Sequence, residues 1–348
     1  MALFESTNDG LGLDIGNSSI KAIWLKKSRG LVRLMAYDDK PLPDGAFSKD
    51  SIIKKDELAK TISELLAKSK LRPINIKKVN CALPETATFI KSLKMPVIPE
   101  EELKDAILLE IKQFVPLSLD KVFWDWRVIN KEKNKQEVFL AVAPQQIVND
   151  FYEVVAKAGL EINALEVEPL VIGRALINKQ LSKQPVFIVD IGGGTTNFSL
   201  VFNESIKFTH NILNGGKTQT ETLAKFLNID LSKAEEIKVN LETNGKLEEK
   251  VKKALDPMLK NLANEIKRSV NFCEEQIKSK KINLILLCGG GANLSGIDKY
   301  LSDLLKIQVE IGNPWTNVTT YPLKTVPRNE IPLYAQAIGS ALRDIKES

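Results

Sequence analysis

The chain has a single histidine, His210, in 348 residues. One imidazole excludes a histidine-rich metal site and speaks against a Ser-His-Asp triad. Cysteine is nearly as scarce: Cys81, Cys273 and Cys288 stand far apart with no CxxC pair. That spacing indicates neither a disulfide framework nor a zinc site, and Cys81, in an apolar stretch, reads as a small buried residue. No apolar run approaches the roughly 18 residues of a membrane span. Charge of one sign is lacking too. The 49 bases and 44 acids are mixed along the chain, for a net charge of +5. Without a basic stretch interleaved with aromatics, nucleic acid is not an expected partner. The opening MALFESTNDG has no basic or apolar leader pattern, so the expected home is the reducing cytoplasm. What remains is 43% hydrophobic and 27% charged, an ordinary globular composition with enough length for two cores.

One stretch organises the rest. Residues 185–202, PVFIVDIGGGTTNFSLVF, read as an apolar strand, an acid, three glycines, two hydroxyls and a second strand. Glycines let a ligand approach the main chain, free N–H groups and hydroxyls suit an anion, and an acid at a strand end suits the metal that accompanies a phosphate. A plain Gly-rich turn would look the same. Residues 11–25, LGLDIGNSSIKAIWL, repeat the pattern: Asp14 answers to Asp190, Gly16 to Gly192 and Ser19 to Thr195. Two such hairpins predict two similar halves that could grip one polyphosphate from both sides. Lys21 is either a phosphate-seeking point charge or a solvated strand lysine.

In chain order, 31–40 reads as a strand, 41–49 as a loop, 55–69 as an amphipathic helix and 77–84 as a strand. Residues 85–137 behave as an insertion. Pro99 and three glutamates start a helix there, with Leu103, Ile107, Ile111 and Phe114 as its inner stripe. In the strand that follows, Phe123, Trp124 and Trp126 cannot all face one way. An outward aromatic is a rim residue or one wall of a peptide groove. Residues 136–144 are expected to return as a strand to the first core, followed by a helix that Gly159 ends. Glu168 stands at a strand-to-helix junction, where an acid favours the helix start or orients a water at a γ-phosphate. Gly215 and Gly216 precede a helix, and Ser232 with Glu235 reads as a capping box. Residues 246–281 are expected to be one or two solvated helices around Pro257. A third strand opens into Gly289, Gly290, Gly291 and Asn293. Residues 331–345 read as a terminal amphipathic helix.

The ordered set DIGNSSIK, DIGGGTTN and GGGANLSG resembles the phosphate and adenosine loops of the actin-like ATPase superfamily. ALEVEP resembles the connecting motif between its halves, and AEEIK the stretch beside ribose and base. An insertion after the CALP strand is similar to subdomain 1C of the FtsA-like branch. EEELKDAILLEIKQFVPLSLDKVFWDW, GNPW and IPLYAQAIGSALR resemble the type IV pilus assembly PilM family. Up to Ser348 no counterpart of FtsA's linker and membrane-targeting helix is recognised, so the expectation is a PilM-like chain.

The resemblance implies an α/β, actin-like ATPase fold of two RNase H-like halves around a nucleotide cleft. It divides the chain into subdomain 1A (1–84 and 138–180), 1C (85–137), 2A (181–215 and 282–348) and 2B (216–281). It implies ATP with Mg²⁺. Asp14, Gly16, Asn17, Ser18, Ser19 and Lys21 would form the first phosphate loop. Asp190, Gly192, Gly193, Gly194, Thr195 and Thr196 would form the second. Gly215, Gly216, Glu235, Lys238, Gly289, Gly290, Gly291 and Asn293 fall on the nucleoside side. Asp14 and Asp190 would hold Mg²⁺ through water, and Glu168 would position the attacking water. The implied role is a cytoplasmic scaffold, peripheral to the inner membrane, that holds a PilN-like tail in a groove between 1A and 1C. Other pilus inner-membrane components and further copies of the chain are expected contacts. Two positions depart from the superfamily pattern. Asn197 replaces an expected Asp, which points to slow or negligible hydrolysis, and Ser295 replaces an expected Pro. A filament-forming cytoskeletal ATPase like FtsA or MreB and a small-molecule kinase of the same superfamily are the rival readings.

Overall fold

A computed structural model describes residues 8–48, 51–239, 245–277, 280–316, 318–321, 323 and 326–345. The readings of the chain's two ends fall partly on 1–7 and 346–348, outside the described residues.

The first half opens with β1 (Asp9–Ile15) and β2 (Ser19–Ser28), an antiparallel hairpin closed by the Gly16 N–H on the Ser19 carbonyl at 3.1 Å. Then come β3 (Leu31–Pro41), the two-residue strands β4 (Phe47–Ser48) and β5 (Ser51–Ile52), helix α1 (Lys55–Ala67) and β6 (Lys78–Leu83). The predicted 41–49 loop thus contains β4, paired with β5. The insertion holds β7 (Phe89–Pro96), α2 (Glu100–Phe114), β8 (Val122–Lys131) and β9 (Lys135–Pro144). Helix α3 (Gln145–Lys157), β10 (Glu161–Val167) and α4 (Glu168–Leu176) lead to the second half. That half contains β11 (Val186–Ile191), β12 (Thr196–Phe202), β13 (Ser205–Ile212), α5 (Gly216–Leu227), α6 (Leu231–Val239), α7 (Gly245–Gln276), β14 (Leu284–Cys288), α8 (Ile297–Leu305), β15 (Gln308–Ile311) and α9 (Ala335–Leu342). Pro257 lies inside α7, which runs through as one helix.

The repeat seen in the loops extends to whole sheets. The first is ordered β3-β2-β1-β6-β10 and the second β13-β12-β11-β14-β15. In each, a hairpin and a third antiparallel strand are followed by two parallel strands. The strands buried on both faces read as apolar runs, as in β14 and in β11 up to Asp190. Helices α1 and α3 cover the first sheet with Leu58, Ile62, Leu65, Phe151 and Val154. Leu223, Leu255, Ile266 and Leu301 from α5, α7 and α8 cover the second.

Three expectations are corrected here. β9 does not join the first sheet: it is the centre of a separate three-stranded sheet, β7-β9-β8, whose core includes Leu93, Leu103, Ile107, Ile111 and Val138, and only its end, at Ala143, packs in the first core. The sheet of the insertion therefore includes the strand through Pro144, part of which was expected in the first half. A central strand of any sheet reads as the same apolar run, which is why VFLAVA suited both places. Phe114, assigned to the inner stripe, is only partly buried against that core.

The last helix begins at Ala335, after a 3₁₀ segment Arg328–Tyr334, and is buried on most of its surface, so it is not amphipathic.

The division of the halves changes as well. Helix α4 packs Val171, Ile172 and Leu176 against Val186, Ile188 and Leu286 of the second sheet. Helix α9, assigned to the second half, lies on the first sheet, with Ala337, Ile338 and Ala341 against Ile23, Leu25 and Leu34. Each half thus lends the other a helix. The exchange needs glycine: a Cβ on Gly12 would lie 1.9 Å from the Ala337 carbonyl, and one on Gly339 1.8 Å from the Val171 carbonyl.

Candidate nucleotide cleft

The two hairpin turns face one another across a cleft of about 870 Å³. Its wall contains Asp14, Gly16, Asn17, Ser18, Ser19 and Lys21 from the first turn and Asp190, Gly192, Gly193 and Thr195 from the second. Glu168, Gly216, Glu235, Lys238, Gly289, Gly290, Gly291 and Asn293 complete the expected set. Residues as far apart in sequence as Asp14 and Asn293 thus meet in one place. Gly194, Thr196 and Gly215 are outside the wall. Thr196 donates its hydroxyl to the Asn214 carbonyl at 2.6 Å. Gly215 is a spacer, since a Cβ there would meet the carbonyl oxygens of Gly192 and Gly193 at 2.6 and 2.7 Å.

The start of α5 is fastened to the second turn. Gly216 N–H donates to the Gly192 carbonyl at 2.8 Å and Lys217 N–H to the Gly193 carbonyl at 2.9 Å. These two donors serve the turn and are not directed at a ligand. Lys217 also reaches the opposite turn, its Nζ donating to the Asn17 carbonyl at 3.1 Å. It therefore clips the two turns together.

The cleft base is rich in carboxylates. Asp14 pairs with Lys21 at 3.2 Å, both buried. Asp190 has only the Cys288 thiol at 3.6 Å and the Gln336 amide at 3.5 Å. Burial and the neighbouring Asp14 push its carboxyl up to about 6. Glu168, the first residue of α4, accepts from the Glu85 backbone N–H at 3.1 Å and the Asn197 amide at 2.9 Å. Burial and Asp190 push it up to about 8. Glu85 lies just behind; burial and the facing Glu168 push it up to about 9. At neutral pH this pair keeps a proton. An acid-rich, cation-poor base suits a hard divalent cation. Among the described residues no three acidic, His or Cys side chains are grouped to hold a metal ion directly. The donor set therefore fits a cation that keeps its water shell.

On the other side Lys238 is 2% exposed. Its ammonium reaches the Gly216 carbonyl at 3.2 Å, Thr220 Oγ1 at 2.8 Å and Glu235 at 2.6 Å. Those contacts take up its three protons, so it braces α5 from beneath. Glu235 also accepts from the Thr220 hydroxyl. The predicted capping box is not formed: α6 starts two residues earlier, and Asp230 caps it through the Lys233 N–H at 2.8 Å. Asp and Ser both satisfy this position, and the earlier of the two took it. In the third loop Gly289 has φ +80°, and a Cβ there would fall 2.4 Å from Asp190 Oδ1. Asn293 donates to the Asn329 carbonyl at 2.8 Å.

A family model described as type IV pilus assembly protein PilM matches residues 12–345. The chain belongs to that family. Among solved structures, a PilM-PilN type IV pilus biogenesis complex is similar with a TM-score of 0.83 and 26% identity, over 97% of this chain and 98% of that one. The MreB 5 protein of Spiroplasma citri bound to AMPPNP shares the fold at a TM-score of 0.52 and 13% identity, over 96% and 95% of the two chains. The FtsA cell division protein of Enterococcus faecalis is 24% identical across 66% of this chain, a match spanning only 57% of its own length. That of Streptococcus pneumoniae is 21% identical across 87% of this chain and 75% of its own. The fold is the actin-like ATPase fold with FtsA-like homologues, as the loops implied.

The motifs did not single out Lys217, Gln336 or Asn197 as ligand-facing residues of the cleft wall, nor Glu85, which stands behind that wall. Lys217 follows the glycine pair, and that adjacency was its only signal. Gln336, on α9, reaches Asp190 only because the helices are exchanged. Asn197 was marked as a departure from pattern, without its bond to Glu168; its other amide atom, Oδ1, is buried without a partner. Glu85 carried no signal at all.

Proposed function

We propose that the chain is an ATP-binding scaffold of a type IV pilus assembly machine, with nucleotide setting the arrangement of its halves around a partner tail. The observation that carries this reading is the similarity to the PilM-PilN complex along almost the whole chain, joined to a carboxylate-rich cleft between repeated turns. ATP with Mg²⁺ would supply the polyphosphate charge that such a cleft accommodates. Asp14 and Asp190 would hold the cation through its waters. The two turns, clipped by Lys217, would hold the phosphates, and the Gly289–Gly291 loop would cover the nucleoside. Glu168 would orient water, but it is held by two donors and is largely protonated at neutral pH, which makes it a poor base. Weak or negligible hydrolysis follows.

The partner in this reading is the cytoplasmic tail of a PilN-like membrane protein, lying between the first half and the insertion. Strand β8 is an edge of its sheet, with no strand on its outer side among the described residues. Phe123 on β8 and Tyr152 on α3 are about half exposed, and the two elements are in contact. An edge strand beside exposed aromatics suits an extended peptide. No described helix is long and apolar enough to cross a membrane; the chain would sit at the cytoplasmic face through this partner, beside other pilus components and further copies of itself.

Titration of a fluorescent ATP analogue tests the nucleotide claim: Asp190→Ala should bind at least tenfold more weakly, and equal affinity sinks it. A peptide copied from the tail must bind above a scrambled control, or the partner claim fails. The FtsA likeness favours one rival, a filament former, which ATP-dependent sedimentation would support.

A further inference from the structure

The insertion touches the rest of the molecule in two ways. It leaves the first half through a 3₁₀ turn, Glu85–Ala87, between β6 and β7, and returns to it where β9 runs into α3 at Pro144. Farther out it is clasped to the second half along β13. Ser92 donates to the Ile206 carbonyl at 2.8 Å, and Lys207 pairs with Glu137 at 2.5 Å, both largely buried. Strand β13 in turn pairs with β12, placing Asn211 opposite Asn197. The insertion is therefore a strut between the halves, and any change of angle between them loads it.

Glu85 stands where these connections cross. Its backbone N–H donates to Glu168 in the cleft wall. Its side chain, 4% exposed, accepts from Thr209 on β13. The other carboxyl oxygen, Oε2, has no partner. For simple packing an apolar residue would serve better, because a buried carboxyl with a bare oxygen is costly.

We propose that Glu85 is the positioning residue through which the phosphate end of the cleft and the partner-binding insertion sense one another. Glu168 accepts from both Asn197 and Glu85 at the same oxygen, Oε2. A ligand that draws Glu168 towards the phosphates takes the acceptor away from the Glu85 N–H. The turn then shifts, and the Thr209 contact passes the shift to β13 and the clasp. By reciprocity, a peptide that moves the insertion changes how Glu168 is presented to nucleotide. This rests on the proposed function, whose nucleotide control it supplies with a route.

The test uses the full chain and a fluorescent peptide copied from the partner tail. Its Kd is measured by anisotropy with and without saturating Mg²⁺ and AMPPNP, and the quotient is the coupling ratio. Wild type should show a ratio at least about fivefold from unity, the lower end of ordinary allosteric couplings. Glu85→Ala and Thr209→Val cut the same link from opposite sides. Each should bring the ratio to within about twofold of unity, while peptide affinity without nucleotide and nucleotide affinity without peptide stay within about threefold of wild type. Glu85→Gln, which keeps an acceptor for Thr209, should restore much of the ratio. A purely structural role would weaken the separate affinities and spare the ratio. If Glu85→Ala fails to fold, the near-isosteric Thr209→Val decides. A wild-type ratio kept in the variants overturns the inference alone; a wild-type ratio of unity overturns nucleotide control as well.

Discussion

The two jaws of the cleft share a strand order and a turn motif but not a chemistry. In the first, the acid of the turn, Asp14, has a buried ammonium beside it, Lys21 at 3.2 Å. In the second, Asp190 has a thiol and a distant amide, and its carboxyl is pushed up to about 6. The first turn stands open, with Asn17 and Ser18 exposed. The second is overlain by the start of α5, whose first N–H groups bond its carbonyls. A duplicated scaffold has thus become a finished jaw, with its charge balanced internally, and an unfinished one. Under the proposed function an incoming cation would complete the second.

The largest effects should come from the two acids. Asp14→Ala strands the Lys21 ammonium in a buried place, and such a break costs about 3–5 kcal/mol. Asp190→Asn removes a carboxyl that burial already disfavours, so its unfolding free energy should be unchanged or slightly raised. Urea denaturation compares them directly, and equal losses would dissolve the contrast.

The glycines come next. Gly215→Ala drives a methyl into two carbonyls of the second turn, and strain of that kind costs about 1–3 kcal/mol. Gly16→Ala in the first turn meets its nearest atom, the Ser19 carbonyl oxygen, at 3.3 Å, and should lose less than about 0.5 kcal/mol, the scatter of neutral sites. The same denaturation curves report both.

A pH series probes the unfinished jaw. Below about 6 Asp190 takes up a proton that competes with the cation, so affinity for Mg²⁺ with nucleotide falls as pH drops through that value. From pH 7 to 5 the loss should be about tenfold, one unit of protonation below the midpoint. Asp190→Asn should bind weakly with a flat profile over that range.

The smallest effect expected is that of Lys217→Ala. It removes one exposed clip between the jaws, and nucleotide affinity should weaken about threefold, the scale of one exposed hydrogen bond. Stability should hardly move.

How much could be read in advance follows the range of each interaction. The hairpin at Gly16, the helix after Pro99 and the Gly289 turn are local, made of neighbours within a few residues, and each was legible. The wall of the cleft was legible for a different reason: three loops in a fixed order carry the mark of one superfamily. Misreadings gathered where several partners could satisfy one pattern. β9 is apolar enough for either sheet, and Asp230 competes with Ser232 for the same cap. Glu85 left no trace because its meaning lies in Glu168, 83 residues away.

The sequence by itself determined the two hairpins, the apolar strands and helix stripes, and which turns carry acids and glycines. These depend on φ/ψ preferences and on alternation along a few residues. Only the tertiary structure decided that α4 and α9 change sides, that the insertion braces both halves, and that Asp190 lacks the counter-charge Asp14 has. Those outcomes depend on burial and on contacts between distant segments. Neither is encoded at any one position, because desolvation and close packing act on a residue only once the rest of the chain has gathered around it.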